Sequence, residues 1–257
     1  MSADALILGF TWTQLAVVML AMLLGGIAKG IVGIALPLVG LSVMLLALPP
    51  KLAVATMVIP IMATNVQLAA SAGWRGLAEA FTRFWPLMLT CIVSIFTVSL
   101  FAAGWPSEAI LLMLGFVVLL FVAMNVSRWK PHVSPRWERP VSILAGLASG
   151  LVGGATSAYG PPLTMFLIAA GVPKHKWSAS VGATFGIGSL PLLAGYVLNG
   201  MITPQVAAVS AAACVPAYAG MWLGMRLQNA MHPETFRKVL LAALALMALN
   251  LIRRGLV

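Results

Sequence analysis

The chain has 257 residues, of which 61% are hydrophobic and 8% charged, and its mean hydropathy is +1.04. That balance excludes a water-soluble domain and points to a polytopic integral membrane protein. The formal net charge of +10 does not imply a nucleic-acid partner, because the basic residues sit at the ends of hydrophobic segments and form no patch or stripe.

Apolar stretches long enough to cross a bilayer, which takes roughly 20 helical residues, are predicted near 6–28, 52–73, 84–103, 108–127, 177–198, 205–225 and 237–252. Shorter ones lie at 31–48, 141–152 and 158–171. No stretch alternates apolar and polar residues as a membrane β-strand would, so helices are expected throughout. The first 28 residues carry Asp4 and no Lys or Arg, and no cleavable signal peptide is expected.

One Gly/Pro-interrupted element occurs twice. GGIAKGIVGIALPLVGL begins at Gly25 and AGLASGLVGGATSAYGPPLTMFL at Ala145, with Gly26, Gly30 and Gly33 matching Gly146, Gly150 and Gly153 at an offset of 120. Pro50-Lys51 then meets Pro173-Lys174 at an offset of 123, and Gly76 meets Gly200 at 124. The reading is an all-α membrane bundle of about 8–10 segments in two internally repeated halves, with Gly/Pro-broken or re-entrant helices. Residues 1–128 form the first repeat, 129–140 a cytoplasmic basic linker and 141–257 the second repeat.

Topology follows from charge. Four short connections hold Arg75 and Arg83; Arg128, Lys130, Arg136 and Arg139; Lys174 and Lys176; and Arg226, Arg237 and Lys238. The positive-inside rule makes these four cytoplasmic, and the connections at 104–107 and 199–204, without basic residues, external. The halves would then be inverted repeats. Residues 141–171 would enter from and return to the cytoplasmic side, with breaks at Gly153-Gly154 and Gly160-Pro161-Pro162, and 12–48 would mirror them from outside. Arg253 and Arg254, external in this scheme, count against it, and a parallel layout of four helices per half is the competitor.

Enzyme chemistry finds little support. Asp4, Glu79, Glu108, Glu138 and Glu234 lie at termini or segment ends, and His132, His175 and His232 in connections, so no catalytic residues, metal ligands or cofactor are expected. The missing intramembrane carboxylate also removes the usual cation relay. An anion leaving a negative interior needs none, since each exported charge gains about 2.3 kcal/mol per 100 mV. Helix N-termini exposed at the breaks would receive it, with glycine permitting close approach.

The candidate binding residues follow from the breaks. Lys29, between Gly26 and Gly30, is the cationic candidate, and its alternative is a lysine snorkelling to the headgroups. Gly30, Gly33, Gly153 and Gly154 accompany it. Thr156, Ser157 and Tyr159 supply hydroxyls, which could equally be packing bonds between helices. Asn65, with Thr64 and Gln67, is polar at the middle of its helix, and Thr184 with Ser189 lies in the counterpart. Cys91 and Cys214 occupy equivalent positions at an offset of 123, as two buried small hydrophobes or as a thiol pair near a sulfur-containing substrate.

The pattern GGIAKGIVGIALPLV followed by PPKLAVATMVIPI, repeated as GLASGLVGGATSAYGPPLTMFL and GVPKHKWSASVGATF, resembles the sulfite exporter TauE/SafE family over nearly the full chain. In that family each half opens with a Gly-rich element leading to a proline, then a segment like Ala53 to Thr56 and Ser178 to Ala183. Ile34, Ala35 and Leu36 depart from the usual glycines, and Ala155 interrupts the second run. The resemblance implies transport, as export, of sulfite, organosulfonates or a related small anion across the inner or plasma membrane. The expected partners are that anion and the lipid bilayer, with no nucleic acid, and a homo-oligomer is left open. A non-transporting membrane subunit, or a carrier of another small metabolite or ion, is the alternative reading.

Overall fold

A segment in lipid must satisfy its backbone hydrogen bonds internally, and the chain does so with helices. The computed structural model describes residues 8–127, 131–230 and 233–256. Its helices are α1 (Trp12–Val32), α2 (Leu36–Met44), α3 (Pro50–Ser71), α4 (Gly73–Phe101), α5 (Ser107–Ser127), α6 (Glu138–Thr156), α7 (Gly160–Ala169), α8 (Lys174–Leu198), α9 (Pro204–Ala212), α10 (Cys214–Ala230) and α11 (Pro233–Leu256). No strand occurs among the described residues. Seven stretches of described helix are long and apolar enough to span a membrane. Asp4, Arg128, residues 129 and 130 of the expected linker, and His232 lie outside the described residues.

Local chemistry sets the helix starts. Thr11 and Gln14 form a reciprocal capping box at the head of α1, each side chain accepting from the other's backbone N–H at 3.2 and 3.0 Å. Prolines open α2, α3, α7 and α9, where their fixed φ suits the first turn and the missing N–H costs nothing. Inside α3, Pro60 cannot donate to the carbonyl of Thr56, and Ser210 of α9 donates to that oxygen at 2.6 Å instead.

Two helical hairpins define the architecture. α1 ends at Gly33, whose φ of 92° is open to glycine at little cost. The short α2 then folds back, so that Gly25 of α1 lies against the backbone of Leu36 and Gly40. α6 likewise ends in a left-handed residue, Ser157 at φ 59°, and α7 returns. Arg83 of α4 ties the mouth of this second hairpin, donating to the Glu138 carboxylate at 2.8 Å and to the Ala170 carbonyl at 2.8 Å. Both limbs of α6–α7 therefore enter at one end of the bundle. Beside it the α3–α4 corner is joined to the start of α8 by a Lys176–Glu79 pair at 2.6 Å. The mouth of the first hairpin lies at the other end, where Lys51 donates to the Ala103 carbonyl at 2.6 Å, Asn199 to that of Ser99, and Arg254 to that of Leu45.

Several boundaries differ from the sequence reading. α4 starts at Gly73 and not near 84, because the polar stretch with Arg75, Glu79 and Arg83 is helical up to a kink at Phe84, two residues before Pro86. α6 runs straight through Gly153 and Gly154 and breaks only at Ser157. α1 passes through Gly30 and breaks at Gly33.

Glycines allow the closest helix pairs. Gly26 and Gly30 of α1 interlock with Gly220 and Gly224 of α10, while Gly146, Gly150 and Gly154 of α6 seat against Thr90, Ser94 and Val98 of α4. The buried core runs between the hairpins, and large apolar side chains such as Phe116, Leu144, Leu190, Val215 and Leu246 are exposed outward, as a lipid-facing surface requires.

Candidate functional site

The two hairpin tips meet at α3 and α8, and polar groups concentrate there. Lys29, in the last turn of α1, is 6% exposed. Its Nζ donates to Thr64 Oγ1 at 2.9 Å and to Asn65 Oδ1 at 2.5 Å, both on α3. Thr64 directs its own hydroxyl hydrogen to the Pro60 carbonyl at 2.7 Å, which leaves its oxygen free to accept from the lysine. Asn65 Nδ2 donates to the Tyr159 hydroxyl at 3.2 Å, and Tyr159 donates onward to the Phe185 carbonyl of α8 at 2.9 Å. One chain of hydrogen bonds thus links α1, α3, the α6–α7 tip and α8.

An ammonium has three donors, and two are used. No ion pair to Lys29 occurs among the described residues. A buried ion without a counter-charge is costly.

Space around the ammonium is divided in two. A closed cavity of about 10 Å³, room for roughly one water, is lined by Lys29, Asn65, Ser157 and Tyr159, with Ile34, Leu36, Pro37, Ile61, Gly160 and Phe185 as its other walls. A wider cavity of about 340 Å³ also touches Lys29, lined by residues 30–33, Gln67, Leu68, Ser71, Trp177, Ser178, Met221 and Met225. Ser71 and Trp177 place it toward the end that holds Arg75 and Lys176.

Of the residues expected at a site, Lys29, Asn65, Ser157 and Tyr159 line the closed cavity, and Gly30 and Gly33 join Lys29 on the wide one. Gly30 also packs on the Met221 carbonyl. Gly153 lies beneath Tyr159, and Gly154 against Val98. Thr156 caps its own helix end, donating to the Val152 carbonyl at 2.7 Å and accepting from Ala158 N at 3.2 Å. Thr184 is buried and donates to the Ser180 carbonyl at 2.7 Å. Cys91 on α4 is buried, Cys214 on α10 is half-buried, and both are free thiols.

The helix N-termini at the tips offer fewer donors than their position implies. Pro37 removes one N–H from the first turn of α2, and Pro161 and Pro162 remove two from that of α7. The sequence reading missed Phe185, whose contribution is a backbone oxygen that no side-chain pattern reveals, and Ile61, an apolar residue with no polar signal; Ile34 stood out there only as a departure from the family's glycines.

Two substitutions probe this frame. Tyr159→Phe strips the acceptor from Asn65 Nδ2, leaving it the Phe185 carbonyl at 3.4 Å; a thermal melt should show a loss of roughly 1–2 kcal/mol. Ser157 holds φ 59° while donating to the Val54 carbonyl at 3.1 Å. Ser157→Val puts a β-branched residue in that conformation and should cost roughly 2–3 kcal/mol in the same assay, whereas Ser157→Gly should stay within about 1 kcal/mol of wild type.

The family model described as "Sulfite exporter TauE/SafE" matches residues 18–251. No curated protein and no solved structure gives a match.

Proposed function

The chain belongs to the sulfite exporter TauE/SafE family, and from that premise we propose that it exports sulfite, an organosulfonate or a related small anion across the inner or plasma membrane. The observation that carries this reading is the Lys29 ammonium, buried, held by two neutral oxygens and joined to no carboxylate among the described residues. It stands at the contact between a closed pocket and a wider cavity, as a recognition charge on a transport path should.

Charge placement orients the bundle, and export is proposed on that orientation. Arg75, Arg83, Arg139 and Lys176 gather at the end toward which the wide cavity lies, and the positive-inside rule makes that end cytoplasmic. The anion would enter there, meet Lys29 and leave past the hairpin tips. In this reading the two hairpins belong to inverted halves, 1–128 and 141–257, with the site between them. Opposite limbs would then loosen in turn to expose the pocket to each side. No acidic relay is required, because the membrane potential drives an exported anion outward by about 2.3 kcal/mol per charge per 100 mV.

The test is flux in proteoliposomes of the purified protein, with labelled sulfite and an imposed potential of either sign. Saturable flux that reverses with the potential is the expected result. Absence of flux from folded protein would remove the permease reading and favour a membrane subunit or a carrier of a different solute.

A further inference from the structure

We infer that the cavity between α5 and α7 is a second binding site, separate from Lys29, for a small neutral molecule with an apolar body and one hydrogen-bonding head. Thr164 carries the argument. Of the buried threonines among the described residues, Thr56, Thr64, Thr156 and Thr184 each donate to a carbonyl one turn back in their own helix, at 2.7–2.8 Å. Thr164 on α7 is 6% exposed, and its hydroxyl has no hydrogen-bond partner. A buried hydroxyl left unpaired is costly, and such an atom in a native fold calls for a partner.

That residue belongs to the wall of a cavity of about 190 Å³, whose apolar surface includes Val32, Phe121, Met124, Pro161 and Ile168. An apolar cavity of about 150 Å³ is enough for a benzene-sized molecule, so a small ring fits this one. No charged side chain lines it among the described residues, and its polar groups are Thr164, Asn125 and Trp177. An ion here would have no counter-charge, so the wall suits a neutral ligand and not the anion that Lys29 serves. Asn125 Nδ2 is engaged with the Phe121 carbonyl at 2.8 Å, which makes Thr164 the anchor for a polar head, while Trp177 adds an aromatic surface suited to a ring. Phenol has this chemistry, with one hydroxyl on a ring of that size.

The cavity adjoins the transport site without containing it. Ile34 is shared with the closed pocket, and Val32 and Trp177 with the wide one. A molecule seated here touches the α1–α2 turn through Ile34 and the start of α7 through Pro161. Its effect on transport rests on the permease reading: it would hold the two hairpin tips together and slow flux while leaving Lys29 open to the anion.

Equilibrium binding of labelled phenol to the purified protein tests the site. Saturable binding that excess sulfite does not displace is the expected result. Thr164→Val removes the hydroxyl and keeps the shape, so it should raise the phenol Kd roughly 10-fold. Without phenol, that variant should melt at or above the wild-type temperature, because the lost group had no partner. Absence of saturable binding, an unchanged Kd in Thr164→Val, or a destabilised variant would each overturn the inference. Displacement by sulfite would place phenol beside Lys29 and overturn the separate site. Ile168→Trp narrows the same cavity from a position 40% exposed and should abolish binding; retained affinity would put phenol elsewhere. In proteoliposomes phenol should lower the maximal sulfite flux with KM unchanged, and Thr164→Val should need roughly 10-fold more of it. Absence of any sulfite flux would remove the permease reading and leave the binding result to stand or fall by itself.

Discussion

Lys29→Met should abolish saturable anion flux while leaving the protein about as stable as wild type. Methionine keeps the length and flexibility of the side chain, so the apolar stem of Lys29 along α1 retains its packing. The ammonium and its three donors are lost. Truncating one partner of a buried, charge-assisted contact typically costs 2–5 kcal/mol of binding, which predicts a KM raised by at least roughly 30-fold and flux at background under physiological substrate levels. Stability has two opposed contributions. Deleting a buried ion without a counter-charge among the described residues is neutral to stabilising, while Asn65 Oδ1 loses its donor at a cost of about 1–3 kcal/mol. A melting temperature within a few degrees of wild type, together with lost flux, separates a binding role from a folding role. Normal flux would assign Lys29 to the headgroup region, a placement its 6% exposure argues against.

The second large effect lies where α1 meets α10. A Cβ built on Gly26, Gly30, Gly220 or Gly224 falls 2.2–2.3 Å from a backbone carbonyl oxygen of the opposing helix. Backbone cannot rotate out of the way as a side chain can, so the helices must separate. Gly220→Val is therefore expected to lose roughly 3 kcal/mol or more of stability and most of the correctly folded protein, read by size-exclusion profile and melting temperature. Gly104→Ala, with nothing within 4 Å of its Cβ position, should match wild type. Because Lys29 lies between Gly26 and Gly30 on the same helix, any folded Gly220→Ala protein should also show weakened anion affinity, as a small shift of α1 moves Nζ away from Thr64 and Asn65.

Much of this was legible in the sequence, for physical reasons. Long apolar runs have no alternative to helix in lipid, and Gly-x-x-x-Gly spacing marks close helix packing. Lysine within an apolar run, and a mid-helix Asn65, are expensive enough to signal a purpose. The pairing of the two was not legible, since Lys29 and Asn65 are far apart in the chain and meet only after the hairpin folds against α3. The break points were also misplaced. Gly153 and Gly154 look like helix breakers, yet in lipid a helical glycine keeps its hydrogen bonds and serves packing. Ser157 breaks α6 instead, in a left-handed conformation that its residue type does not announce. Thr156, grouped in the sequence with Ser157 and Tyr159, and Thr184, grouped with Ser189, each return the hydroxyl hydrogen to their own helix, the usual resolution for a threonine in an apolar segment.

The central claim is that the Lys29 ammonium is where the anion binds. A ligand that binds only the folded state raises its stability by RT ln(1 + [L]/Kd), about 2.7 kcal/mol at one hundred times Kd. The direct measurement is therefore the melting temperature of the purified protein and of Lys29→Met across a sulfite titration at constant ionic strength. A saturable rise in wild type that is absent from Lys29→Met is the predicted result. An equal rise in both proteins would place the anion elsewhere and contradict the account.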